Sequence, residues 1–210
     1  PVIPLGIHTS DFSYTELQRN EARAKLAIRE NSLVVLYTGR LSFHAKAHPL
    51  AMYQALENSA KITGKHVTLI ECGWHSNDHI EKAFSLGSDL ACPSVRVITL
   101  DGRVTANLDT AWASADIFCS LSDNIQETFG IVPIEAMAAG LPVLVSDWDG
   151  YKDTVRDGID GFRIPTIAAA PTYGTASIAI EDVLVEIIRE VRRASRSLIS
   201  LTISRSGRST

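Results

Sequence analysis

The sequence has no uninterrupted apolar run of 18 residues, so it predicts no membrane-spanning helix. It also lacks a strong excess of one charge. A net charge of −4 in 210 residues gives no general attraction for nucleic acid or an anionic membrane, and neither is expected as a partner. Cysteine is scarce, and Cys72, Cys92 and Cys119 stand far apart in apolar surroundings. That pattern indicates reduced core thiols in a cytoplasmic protein rather than a disulfide framework.

The amino terminus, PVIPLGIHTS, has neither an initiator Met nor the basic-then-apolar pattern of a signal peptide. We therefore expect the chain to be a fragment of a longer protein. Its 210 residues, 45% of them hydrophobic, suffice for one buried core. This size favours a single domain with or without an appendage.

Short apolar runs alternate with longer stretches of helical pattern through most of the chain. The runs predict strands at 33–38, 66–72, 94–100, 115–122 and 141–147. The stretches predict helices from a capping box at Ser13–Glu16 to about Arg29, and at 47–61, 77–87, 104–114 and 130–139. Because most of the strands are apolar on consecutive positions, they should be buried on both faces. The sequence therefore predicts an α/β fold with a doubly wound, Rossmann-like parallel sheet.

The pattern changes after Pro165, which sets a boundary between a domain over 1–165 and an appendage over 166–210. Residues 166–177 are small, polar and interrupted by Pro and Gly, as in a linker. An apolar stripe from Ile180 to Leu198 then predicts an amphipathic helix, and a basic tail follows. We interpret the tail's arginines as a solvated surface in preference to a phosphate- or lipid-binding segment.

The candidate site lies where the strands end, because ligands of such sheets bind beyond the carboxyl ends of the strands. Phe129-Gly130-Ile131 opens a predicted helix, whose first N–H groups and positive dipole end favour a phosphate. Arg40 and Lys46, after the first strand, would neutralise a diphosphate.

Two glutamates flank that turn in ETFGIVPIEAMAAGLPV, with Glu127 before it and Glu135 eight positions later inside the helix. Carboxylates accept hydrogen bonds from hydroxyl groups, so the pair predicts a sugar on each side of a diphosphate. The expected ligand is a sugar nucleotide.

The stretch SLSDNIQETFGIVPIEAMAAGLPVLVSDWDGYKDTVRDGIDGFRI resembles the signature region of retaining glycosyltransferases of family 4 type, the group 1 glycosyl transferases with the two-domain GT-B fold. The shared pattern is Glu, any seven residues, Glu, then small residues, Gly-Leu-Pro-Val and a later Gly-Phe strand. LYTGRLSFHAKA resembles the family's Gly-Arg…Lys-Gly phosphate loop, and PVIPLGIHTSDF resembles its interdomain segment. The likeness covers about residues 1–165 and implies the carboxyl-terminal half of the GT-B fold.

The resemblance implies a function for each candidate residue. Arg40 and Lys46 would bind the donor diphosphate, the amides of Phe129, Gly130 and Ile131 the distal phosphate, and Glu135 the ribose. Glu127 would bind the transferred sugar and serve as the catalytic carboxylate. The nucleobase would lie near the strand end at Thr99, Leu100, Asp101 and Gly102. Neither a metal nor a cofactor is expected, and the acceptor domain would lie amino-terminal to this chain.

The sequence departs from the family pattern at several positions. Lys46 is followed by Ala47 where glycine is usual, and it stands six residues after Arg40 where five is common. The glycine-rich turn after the second strand keeps only Gly73, and Asp149-Gly150 stands for a Gly-Gly pair.

We interpret the chain as the donor-binding domain of a retaining hexosyltransferase. Two alternatives stay open: a regulatory module that binds a nucleotide or sugar phosphate without chemistry, and a GT-B epimerase. A phosphorylase is weaker, since no pyridoxal phosphate lysine can be identified. The pairs His44/His48 and His75/His79 lack a third metal ligand and are interpreted as surface histidines.

Overall fold

The computed structural model of the chain describes residues 6–43, 45–122 and 129–166. Within these ranges it contains one sheet of parallel strands in the order β3-β2-β1-β4-β5-β6. The strands are β1 Leu33–Leu41, β2 Val67–His75, β3 Arg96–Asp101, β4 Ile117–Ser120, β5 Val143–Ser146 and β6 Gly161–Ile164. The predicted doubly wound parallel sheet is confirmed.

Helices connect successive strands and cover both faces of the sheet. They are α1 Glu16–Lys25, α2 Leu50–Thr63, α3 Asp78–Ala91, α4 Thr105–Ser114, α5 Ile131–Ala138 and α6 Tyr151–Thr154, and a 3₁₀ turn at Thr9–Phe12 precedes them. None of the helices in the described ranges has the length and apolarity needed to cross a bilayer.

Alternate residues of the strands pack into two separate apolar layers, one on each face of the sheet. In β1, Val35 and Tyr37 pack beneath α2 and α3, whereas Val34 and Leu36 face a layer built from α4 and α5. Val34, Val35 and Leu36 are fully buried. This two-sided burial is the reason that the strands read as continuous apolar runs.

Helix α1 is held against the sheet by a half-buried carboxylate. Asp116, just before β4, accepts hydrogen bonds from the Arg19 and Arg23 guanidinium groups and from the backbone N–H of Val34. The two arginines also donate to the carbonyl oxygens of Ala115 and Ser114 at the end of α4. These bonds fix α1 at the amino edge of the sheet, away from the candidate site.

Several predicted boundaries are wrong by a few residues. The capping box is formed by Thr15 and Gln18 rather than at Ser13–Glu16, and α1 ends at Lys25 instead of near Arg29. Helix α3 continues through Gly87 to Ala91, four residues beyond its predicted end. β1 and β2 extend to Leu41 and His75, so residues expected in loops form the ends of these strands.

The cysteines meet the expectation of reduced core thiols. Cys72, Cys92 and Cys119 are buried and form no disulfide. Burial raises the pKa of Cys119 to about 12 and that of Cys72 to about 11, which keeps both thiols protonated. The predicted linker beyond Thr166, the amphipathic helix and the basic tail lie outside the described residues.

Candidate functional site: the carboxyl edge of the sheet

The strand order places a topological switch point between β1 and β4. From β1 the chain winds outward to β2 and β3, then returns to β4 on the other side of β1 and continues to β5 and β6. The connection after β1 runs over one face of the sheet, through α2, and the connection after β4 runs over the other, through α5. Doubly wound sheets bind their ligands at the carboxyl ends of the strands where the connections diverge in this way. The candidate residues come from the segments that follow these two strands.

Arg40 is the second-to-last residue of β1, and it is exposed. The Tyr37 hydroxyl donates to the Arg40 carbonyl oxygen at 3.1 Å, which fixes the backbone from which the guanidinium group extends. Lys46 is half-buried in the segment between β1 and α2. Both predicted cationic residues therefore belong to the same side of the switch point.

The Phe129–Ile131 turn stands on the other side, after β4. Gly130 is the N-cap of α5, and its φ of 69° is a left-handed conformation that favours glycine. Gly130 is buried, whereas Phe129 and Ile131 are half-buried. The first amides of α5 have no carbonyl partner within the helix, as at any helix start, so the turn offers N–H donors to an anion.

The two glutamates differ in what the structure shows of them. Glu135 lies in α5 and is half-buried, and this burial raises the pKa of its carboxyl group. Glu127 lies outside the described residues.

Backbone atoms at the ends of β1, β2 and β3 lie in close contact at this edge of the sheet. Gly73 pairs with Gly39 on one side, and Gly102 donates its N–H to the Gly73 carbonyl oxygen at 2.9 Å on the other. A Cβ atom on Gly73 would lie 1.9 Å from the Gly39 carbonyl oxygen, and one on Gly102 would lie 3.0 Å from the Gly73 Cα. Gly73, the one glycine kept from the family's turn, is therefore required by backbone contact.

The four residues of the predicted nucleobase region occupy different positions. Leu100 is half-buried in the apolar layer shared with α4, whereas Thr99 faces the opposite side of the sheet, in a cavity of about 450 Å³ beneath α3. Asp101 accepts two hydrogen bonds from the Arg103 guanidinium group, at 2.9 and 2.8 Å. Those bonds and one from the Arg103 backbone N–H lower the pKa of Asp101 to about 2. Asp101 and Gly102 are thus the members that lie at the carboxyl edge.

A buried carboxyl group, Glu71, lines the same cavity. It lies in β2 with 2% of its surface exposed, and the Tyr53 hydroxyl donates to its Oε1 at 2.6 Å. Burial raises the pKa of Glu71 to about 7, although the Tyr53 hydrogen bond opposes this effect.

The structure also brings to this edge residues that the sequence did not single out. Trp74 lies opposite Arg40 in the β1–β2 register, with 37% of its surface exposed. Tyr151, at the start of α6, packs its ring against Gly130, and its hydroxyl lies 2.9 Å from the Ser120 Oγ at the end of β4. In the sequence, Tyr151 is marked only by its position directly after Asp149-Gly150. An aromatic residue at such a position does not by itself indicate a function.

The histidines are not all surface residues. His75 is half-buried, its Nε2 atom has no hydrogen-bond partner, and its ring contacts that of Phe84 with centroids 5.1 Å apart. Among the described residues, no group of three or more His, Cys, Asp or Glu side chains is arranged to hold a metal ion.

Comparison with known proteins assigns this sheet and its carboxyl edge to a family. The model of the family "Glycosyl transferases group 1" matches residues 18–170, and the chain belongs to this family. It is 29% identical over 166 residues to a D-inositol 3-phosphate glycosyltransferase of Nocardia farcinica, covering 78% of this chain and 36% of that protein. It is 42% identical over 80 residues to a phosphatidyl-myo-inositol mannosyltransferase of Mycobacterium leprae, covering 38% of this chain and 19% of that protein. The chain thus spans about a third or less of these relatives.

Solved structures share the fold. HepE from Anabaena, determined in complex with UDP and glucose, superimposes with a TM-score of 0.67 at 21% identity and covers 90% of this chain and 47% of HepE. WaaG, a glycosyltransferase involved in lipopolysaccharide biosynthesis, gives a TM-score of 0.63 at 22% identity, with 92% of this chain and 47% of WaaG covered. The expected Rossmann-like half of a GT-B fold is confirmed.

Proposed function

We propose that this chain is the nucleotide-sugar-binding domain of a retaining glycosyltransferase that transfers a hexosyl group. The observation that carries the proposal is the pairing of two anion-binding features at one switch point. The exposed Arg40 extends from the end of β1, and the Gly130 turn opens α5 after β4. A diphosphate between them would meet a cation on one side and N–H donors on the other.

The remaining candidate residues extend the ligand in two directions. Glu135 would accept hydrogen bonds from the ribose hydroxyls, and the nucleobase would lie toward β3, at Asp101 and Gly102. Glu127 would hold the transferred sugar. The HepE complex with UDP and glucose supports this class of ligand, because HepE shares the fold.

The proposed chemistry is stabilisation of a leaving group. As the bond from the sugar to the diphosphate breaks, negative charge grows on the diphosphate, where Arg40, Lys46 and the amides of α5 would be placed to neutralise it. A carboxylate at Glu127 would stabilise positive charge developing on the anomeric carbon. We propose that the donor site works without a metal or a cofactor. Transfer also needs an acceptor site, which the resemblance places in an amino-terminal domain.

Ligand binding to the chain tests the proposal. UDP, GDP and ADP, and a sugar conjugate of each, are compared by thermal shift, because a ligand that binds the folded state raises its melting temperature. At least one diphosphate should stabilise the chain more than its nucleoside does. No stabilisation by any of them at millimolar concentration would refute the proposal.

Substitution of the cations locates the diphosphate. Arg40→Ala and Lys46→Ala should each weaken binding of the diphosphate by about 1.5–3 kcal/mol, the contribution of a charge-assisted hydrogen bond, and leave nucleoside binding nearly unchanged. Arg29→Ala is the matched control, because Arg29 is an exposed arginine just before the amino end of β1. Equal losses for nucleoside and diphosphate in calorimetry would show that these side chains do not contact the phosphates.

A further inference from the structure

The ring of Tyr151 occupies the space that a side chain at position 130 would need. A Cβ atom on Gly130 would lie 2.2 Å from Cε1 and 2.5 Å from Cδ1 of Tyr151, so the ring edge rests directly against the Gly130 Cα. Tyr151 is 3% exposed and belongs to the apolar layer shared with α4 and α5. The turn therefore has an aromatic side chain packed behind it.

The Tyr151 ring is itself held in place. Its hydroxyl lies 2.9 Å from the Ser120 Oγ, and its backbone N–H donates to the Trp148 carbonyl oxygen at 3.1 Å. Nearby, the Ser146 hydroxyl at the end of β5 donates to the Ser122 carbonyl oxygen, just past the end of β4. Hydrogen bonds from α6 and β5 thus hold the Tyr151 ring and the segment at the end of β4 in fixed positions.

The direction of the first α5 amides depends on the backbone dihedrals of Gly130. Glycine occupies left-handed and right-handed regions about equally, so its φ of 69° is not fixed by glycine alone. A rigid ring against the Cα restricts the motion by which the turn would change its dihedrals. The restriction comes from a residue 21 positions further along the chain.

We infer that Tyr151 is a positioning residue for phosphate binding: it holds the Gly130 turn in its left-handed conformation and so aims the first amides of α5 at the diphosphate. Because only 3% of the Tyr151 surface is exposed, its proposed effect acts through the turn. The inference rests on the proposed function, because it assigns a support to the same anion-binding turn.

The test compares Tyr151→Ala and Tyr151→Phe in the 210-residue chain, with UDP, GDP and ADP and their nucleosides as probes. Tyr151→Ala should weaken diphosphate binding about 10- to 100-fold, as expected when a charge-assisted hydrogen bond is lost, and change nucleoside binding less than about threefold. Tyr151→Phe keeps the ring against Gly130, so it should retain diphosphate affinity within about threefold even though the bond to Ser120 is lost.

A matched control separates positioning from general stability. Tyr53→Phe also removes a buried tyrosine hydroxyl bond, the one to Glu71, on the opposite face of the sheet. It should lower the melting temperature without changing the ratio of diphosphate to nucleoside affinity. If Tyr151→Ala does not melt cooperatively, Tyr151→Leu replaces it, because leucine keeps apolar burial without the planar ring.

The outcomes are distinct. If Tyr151→Ala lowers the melting temperature but keeps its diphosphate affinity, Tyr151 only stabilises the fold and the inference is wrong, while the proposed function stands. If the unsubstituted chain binds no diphosphate, the proposed function is wrong and the inference fails with it. Loss confined to the diphosphate, and restored by phenylalanine, supports both.

Discussion

Glu71 carries its carboxyl group in the interior of the sheet, with 2% of its surface exposed and the Tyr53 hydroxyl donating to it at 2.6 Å. Burial disfavours the charged form and raises the pKa of this group to about 7 from its ordinary value of 4.5. In the unfolded chain the same group titrates near its ordinary value. Between these two pKa values the folded protein therefore holds a proton that the unfolded chain has released.

This difference makes stability depend on pH in a defined direction. Below about pH 4.5 the group is protonated in both states and carries no penalty. Between about pH 4.5 and 7 the unfolded chain releases this proton more readily than the folded protein does, so the free energy of unfolding falls as the pH rises. Above about pH 7 the folded protein also releases the proton and buries a carboxylate, and the fall levels off. A rise from 4.5 to about 7 corresponds to a loss on the order of 3 kcal/mol at pH 8.

Glu71→Gln removes the titration but keeps an oxygen that can accept the Tyr53 hydrogen bond. Urea unfolding of both proteins from pH 4.5 to pH 8 measures the effect. The stability of the wild type should fall relative to Glu71→Gln by on the order of 3 kcal/mol across this range, most of it between about pH 5 and 7. Glu30→Gln, at an exposed position, is the control for removing one glutamate from the chain. A constant difference between the wild type and Glu71→Gln would show that Glu71 titrates normally.

Two further predictions concern the anchor of α1 and the two glutamates of the signature. Asp116→Asn should lower the free energy of unfolding by about 3–5 kcal/mol, because the guanidinium groups of Arg19 and Arg23 lose the carboxylate that pairs with them. A loss under about 1 kcal/mol in urea unfolding would contradict this prediction. Glu135→Gln should weaken every nucleotide, whereas Glu127→Gln should weaken only the sugar conjugates, by about 1–2 kcal/mol. Equal losses of plain diphosphate affinity in calorimetry would refute that division between ribose and transferred sugar.

Much of the fold could be predicted from the sequence because burial on both faces leaves a visible pattern. The run at 33–38 predicts β1, since its consecutive apolar residues feed both layers of the core. Ends of elements were less predictable. The helix predicted at 77–87 continues to Ala91, because Phe84 and Ser88 are buried on one face, and Pro93 follows soon after it ends.

The site could be predicted only where single residues carry the chemistry. Arg40 and the Gly130 turn were identified because a cation and a glycine at a helix start have local meaning, and the structure puts both at the carboxyl edge. Whether they bind a nucleotide stays a prediction. The contact between Tyr151 and Gly130 joins residues from two connections, and no local pattern encodes a ring that packs against a distant glycine.

The closely packed glycines at the ends of β1, β2 and β3 limit which positions at this edge of the sheet can be varied. Gly73 tolerates no side chain, since any Cβ would overlap the Gly39 carbonyl oxygen, and Gly102 is nearly as confined. Under the proposed function, the backbone beneath the donor therefore accepts no side chain at Gly73 and cannot contribute to donor selectivity there. Variation, natural or engineered, is left to the rim, where Trp74 and Arg103 are exposed. A library for altered donor choice should randomise these rim positions and leave the glycines untouched.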